Sequence, residues 1–171
     1  MGADWHGASV KLKPRTMLSD TPNTFLTGMF GRDVSITDIE IAMVPKEVDL
    51  GRNYRLFSWL AGVCGETPPL HENLEERGEK VLELLDWLGI DNDYNKTGDF
   101  WIGDSNWNYV SVKELVEFNY DAESVPGGDT YRELFMVRGV PEEQRDEFFK
   151  FIQWCSETGQ DWIVFGFYDA F

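Results

Sequence analysis

The sequence predicts an α+β fold: one compact domain spanning residues 1–171, with a small, mostly antiparallel sheet packed against four to five helices. Three observations predict it. A length of 171 residues suits one well-buried core and is short for two. Hydrophobic residues at 42% and aromatics at 15% are enough to fill such a core. The order of patterns along the chain, β, β, α, α, loop, α, α, α, β, places strands at both ends and helices between them.

The first strand is "GASVKLKPRTML", residues 7–18, where Val10 and Leu12 alternate with Lys11 and Lys13 until Pro14 interrupts. "SDTPNTFLTGMFGRD" follows and reads as a turn-rich connection. In "SITDIEIAMV" Ile36, Ile39 and Ile41 stand among acids, a strand with one solvated face. "GRNYRLFSWLAGVCG", residues 51–65, carries Tyr54, Phe57, Trp59, Leu60 and Val63 at near-helical spacing, with Gly65 to end it. The helix expected over 71–89 places Leu74, Val81, Leu84, Leu85 and Leu88 on one stripe, with Gly89 as its C-terminal cap. Ser111 and Glu114 form a capping box opening "SVKELVEF". "VPGGD" is a turn, and Asp129 caps a short helix in "DTYRELFMVRG". Pro141 and Gly159 bracket a last helix that buries Phe148, Phe149, Ile152 and Cys155. The bulky closing strand "QDWIVFGFY" is expected inside the sheet rather than at its edge.

Charge is the strongest global signal. Thirty-one acids against 15 bases leave a net of −16, and residues 86–133 hold eleven acids and three bases. Such a surface repels phosphates and attracts basic surfaces, which argues against direct nucleic-acid binding. No apolar run approaches the length of a membrane span, and "MGADWHGASVKLKPR" lacks the basic-then-apolar order of a signal peptide. Cys64 and Cys155 are the only cysteines, without framework spacing, so both are expected as buried thiols in a cytoplasm.

Two stretches hint at metal or acid–base chemistry. "DNDYNKTGDFWI", residues 91–102, sets Asp91, Asp93, Asn95 and Asp99 at positions one, three, five and nine of a calcium loop. That loop needs glycine at six and glutamate at twelve, where Lys96 and Ile102 stand, so an Asp/Asn-rich turn is the better reading. Asp4 and His6, two apart on a strand, share a face and form a carboxylate–imidazole pair suited to a metal or proton transfer. With His71 the only other histidine, little is left for a histidine-rich zinc site. Nucleophile-elbow, Walker, dinucleotide and His-Glu-x-x-His motifs are absent.

A different signal comes from "DFWIGDSNWNYVSVKEL". Trp101, Trp107 and Tyr109 alternate with Asp99, Asp104, Asn106 and Asn108, giving flat contact area beside carboxylates. This is either a partner-binding surface for a basic protein or an edge strand packing its rings inward.

"MGADWH", "GRNYRLFSWLAGV" and "DWIVFGFYDAF" together resemble a group of uncharacterised phage and prophage proteins. That group opens Met-Gly-Cys-Asp-Ile-His, carries an Arg-Asn-Tyr-x-Leu-Phe helix and ends on an Ile-Val-Phe-x-Phe-Asp strand; "YVSVKEL" is similar to its Ser-Trp-Leu-x-x-x-Glu-Leu segment. Asp4, His6, Arg52, Asn53 and Tyr54 match, whereas Ala3 replaces the cysteine, Trp5 the isoleucine, and Asn106 and Asn108 the histidines that often precede the last motif. The resemblance implies a phage setting and the host cytoplasm, with no reaction attached.

The leading expectation is therefore a non-enzymatic, cofactor-free acidic protein that inhibits or redirects a basic-surfaced host protein, including by imitating nucleic-acid charge. Its contact residues would be Asp99, Trp101, Asp104, Trp107 and Tyr109. The first alternative is a divalent-metal hydrolase or nucleotide-ligand binder using Asp4 and His6, with Asp91, Asp93, Asn95 and Asp99 as ligands. The second is a virion assembly component. Oligomeric state is not legible.

Overall fold

A computed structural model describes residues 2–14, 21–45, 47–90 and 106–170. The four strands among them are β1 (Gly2–Leu12), β2 (Ile39–Met43), β3 (Asn106–Ser111) and β4 (Trp162–Ala170). They form one antiparallel sheet in the order β2-β1-β4-β3. The closing strand is central, as its apolar bulk predicts. It pairs with β1 from Gly2↔Ala170 to Val10↔Trp162, and with β3 from Asn106↔Phe167 to Ser111↔Trp162.

The described helices are α1 (Thr24–Phe30), α2 (Tyr54–Ala61), α3 (Leu74–Trp87), α4 (Val112–Glu117), α5 (Tyr131–Phe135) and α6 (Glu147–Glu157). They cover both faces of the sheet. Side chains of successive strand residues point to opposite faces. Val110, Ile163, Phe165 and Phe167 thus meet α2, α4, α5 and α6 on one side. On the other, Ala8, Val10, Leu12, Trp107, Tyr109 and Val164 meet Leu26, Met29 and Phe30 of α1 and Val81, Leu84 and Leu85 of α3. Among the described residues no helix is long and apolar enough to cross a membrane.

α2 differs from an ordinary surface helix. Residues 56–61 are all buried, including Ser58, whose hydroxyl donates to the Thr67 carbonyl and accepts from its N–H. Such all-round burial belongs to a core helix. Trp59 lies at its centre, with ring centroids of Phe135, Phe118, Tyr120 and Phe148 at 4.7, 4.9, 6.1 and 6.4 Å. On β1 the Trp5 ring folds over Gly7, where a Cβ would come within 2.6 Å of it.

Several boundaries differ from expectation for identifiable reasons. The turn-rich stretch after β1 contains α1: Asn23 accepts from the Leu26 N–H as N-cap, and Gly31, at φ 73°, is its left-handed C-cap. α2 stops at Ala61 because Gly62, not Gly65, takes the left-handed cap at φ 75°. Cys64 consequently sits exposed in the following turn, correcting the expectation that both thiols are buried. Cys155 is buried, and burial pushes its thiol up to about 12. α5 is capped by Thr130 rather than Asp129, whose carbonyl instead accepts from Ser124 across the preceding turn. Pro141 opens a separate 3-10 turn, Glu142–Gln144, and α6 starts only at Glu147. There Phe151 takes the core position expected for Phe149, which is half-buried against Tyr120 at 5.2 Å. β3 occupies the stretch whose polar–aromatic alternation also suits a partner surface.

Candidate functional site

Of the sequence-predicted residues, Asp4, His6, Trp107 and Tyr109 lie within the described strands. His6 is half-buried on β1; the register sets it opposite Gly166, with Trp107 of β3 on the far side of that glycine. Asp4 lies on the same strand opposite Tyr168. Asp91, Asp93, Asn95, Asp99, Trp101 and Asp104 lie outside the described residues. Among the described residues no three His, Cys, Asp or Glu side chains are grouped closely enough to hold a metal ion.

Trp107 and Tyr109 require a correction. They are 7% and 4% exposed, built into the core face that α1 and α3 cover, so their rings are not available to a partner. The inward-packing edge strand is the reading the structure supports. The alternation is real, but α3 lies along it: Gly78 rests on this strand, with space for only a tight Cβ contact, 3.4 Å from the Trp107 carbonyl oxygen.

A polar network runs where α3 meets β3. Asn108 is fully buried, and each of its amide atoms is used. Its Oδ1 accepts from Arg77 Nε at 2.8 Å and from the Tyr109 N–H at 2.9 Å. Its Nδ2 donates to the Leu60 carbonyl at 2.6 Å and lies 3.1 Å from His71 Nδ1. These bonds fix the amide orientation, which makes His71 Nδ1 an acceptor and leaves Nε2–H to donate to Glu114 Oε2 at 2.9 Å. Glu114 Oε1 closes the capping box of α4 on Ser111.

The network seals the sheet. β3 is an edge strand, and an edge presents unpaired backbone groups sideways. Here the Tyr109 N–H is taken by Asn108 and its carbonyl by Arg77 Nη2, while the same guanidinium lies 4.1 Å over the Tyr109 ring. The polar atoms of Asn108 and His71 are committed to neighbouring groups, so this constellation is structural. One signal could have found it: Arg77 falls on the apolar stripe between Leu74 and Val81, and a cation there needs an internal partner.

The His71 hydrogen bond, opposed by partial burial, holds the Glu114 carboxyl below its ordinary 4.5. A carboxyl depressed in the folded state adds stability above its unfolded pKa, and this is lost as pH falls through the folded value. We therefore expect stability to decline as pH drops from about 4.5 downward, with part of that slope removed in Glu114→Gln. Urea midpoints measured across the acid range check this.

The outer face of α3 has the opposite character. Glu72 just before it and Glu75, Glu76, Glu79, Glu83 and Asp86 along it are exposed. Leu82 and Trp87 stand among them, 38% and 44% exposed. Lys80 is the one cation on this outer face, paired with Glu76 at 3.4 Å. No protein-family model, curated protein or solved structure matches this chain.

Proposed function

We propose that this is a non-enzymatic binding protein that occupies a basic surface on another protein through the outer face of α3. One observation carries the proposal. Carboxylates at 75, 79 and 83, at 76 and 79, and at 83 and 86 are like charges at helical spacings of three and four. Each such pair weakens a helix by about 0.2–0.5 kcal/mol. Among the described residues the Lys80–Glu76 contact is the one ion pair these carboxylates make, and Glu75 and Glu76 also lie at the positive start of the helix, whereas an arginine- or lysine-lined groove would neutralise the whole row. Trp87 and Leu82 add apolar contact area to the same face.

A row of negative charge recurring about every 5.4 Å along a rigid helix also resembles what a nucleic-acid-binding groove accepts. The likeness of the 1–6, 51–63 and 161–171 blocks to phage proteins makes a host protein with such a groove, a defence enzyme included, the first class to test. The site of action in this reading is the host cytoplasm.

Reversing Glu75, Glu76, Glu79 and Glu83 to lysine is expected to abolish capture of the partner from host lysate. Reversing the exposed Glu142, Glu143 and Asp146 on the far segment is expected to leave it intact. Capture by the parent chain should fall steeply with added salt. Equal capture by both variants, or a salt-insensitive complex, would refute this use of α3.

A further inference from the structure

A cleft of about 440 Å³ opens between the start of α2 and the segment joining α5 to α6. That volume lies in the range of small-molecule sites. Asn53 holds its two walls together. Its Oδ1 caps α2 at the Leu56 N–H, while its Nδ2 donates to the Leu134 carbonyl at 2.9 Å and reaches that of Met136 at 3.4 Å. The turn before α2 fits closely as well: Gly51, at φ 63°, would bring a Cβ within 3.1 Å of Val137. The cleft is thus preformed.

Arg52, Arg55 and Arg138 line it. Arg132, outside the cleft, pairs with Asp121 at 2.9 Å. The three cleft guanidiniums make no ion pair or hydrogen bond among the described residues, although Asp49 and Glu66 line the same space. Asp49 Oδ1 is occupied by the Gly51 N–H at 2.8 Å. Tyr54, set edge-on to Phe57 at 6.4 Å, adds a ring to the wall.

We infer that this cleft binds a phosphorylated small molecule of about mononucleotide or sugar-phosphate size, its phosphate held by Arg52, Arg55 and Arg138. Guanidinium forks match phosphate oxygens bidentately, and the three outnumber the two carboxylates, Asp49 and Glu66, in the same lining. Glu66 supplies an acceptor for a ligand hydroxyl or amine, and Tyr54 a flat surface for a base or sugar. A nucleic-acid strand, which would extend beyond the cleft, is disfavoured by the −16 net charge of the whole chain.

Calorimetric titration of the full chain at low salt tests this with inorganic phosphate, glycerol phosphate, adenosine monophosphate and, as a carboxylate counterpart, citrate. We expect saturable binding of an organic phosphate, tighter than inorganic phosphate. Arg55→Gln should weaken it about tenfold, the size of one charge-assisted hydrogen bond. Arg138→Gln, at an exposed side chain, is expected to do the same with an unchanged melting temperature and serves if Arg55→Gln disturbs folding. Absence of saturable binding up to millimolar phosphate probes, tighter binding of citrate than of every phosphate, or equal binding by an Arg52, Arg55 and Arg138 triple glutamine variant would overturn the assignment.

Discussion

Trp59→Ala is expected to destabilise the protein by about 3–5 kcal/mol, the range for deleting a large ring from a packed core. The position argues for the upper part of that range. Trp59 is 2% exposed and touches four rings from three separate segments: Phe118 and Tyr120 after α4, Phe135 in α5 and Phe148 in α6. These neighbours hold one another as well, Tyr120 with Phe135 at 6.1 Å and Phe135 with Phe148 at 5.9 Å, so collapse into the vacated space is restricted. Domains of this kind are stable by only about 5–15 kcal/mol, so the loss is a large share of the whole. Urea denaturation followed by fluorescence and circular dichroism measures it. A loss below about 1.5 kcal/mol, the size of a tolerated repacking, would mean the ring cluster relaxes freely.

Asn108→Ala is expected to be nearly as damaging, for a different reason. It removes little volume but takes the Asn108 partner from the Leu60 carbonyl, the Tyr109 N–H and Arg77 Nε, at about 1–3 kcal/mol for a buried group left unsatisfied, so about 3–4 kcal/mol is lost in total. Asn108→Leu separates the two causes, since leucine refills the space and restores none of the bonds. A loss matching the alanine variant assigns the effect to hydrogen bonding. Stability within about 1 kcal/mol of the parent chain would show that the hub is dispensable. The consequence reaches the edge of the sheet, because Arg77 without Asn108 no longer has a fixed position over Tyr109.

What could be read from the residues divides along a physical line. Local, short-range chemistry was legible: the Ser111–Glu114 capping box forms as its spacing predicts, and the Leu74-to-Leu88 stripe faces inward at Val81, Leu84 and Leu85. The central placement of β4 followed from its aromatic and apolar bulk. α1 was hidden because its caps, Asn23 and Gly31, are also the commonest turn residues, and Gly28 lies within it. Tyr109 and Trp107 were ambiguous for a related reason: alternation shows that two faces differ, and only tertiary packing shows which one α3 covers. Asn108 could not be recognised as a hub, since three of its contacts, with Leu60, His71 and Arg77, come from distant stretches of chain. The cleft arginines escaped notice likewise, with Arg138 brought to Arg52 and Arg55 by the fold alone.

The antiparallel pairing of β1 with β4 bears on how the molecule is made. The two middle strands are the first and last described elements in chain order, so Ala8 cannot meet Val164 until the helices and strands between them have left the ribosome. Until then both apolar faces of the nascent sheet lack their central strand, and such long-range closure is slow. Nascent chains stalled before Val164 should accordingly stay protease-sensitive and chaperone-bound, however well their helices have already formed.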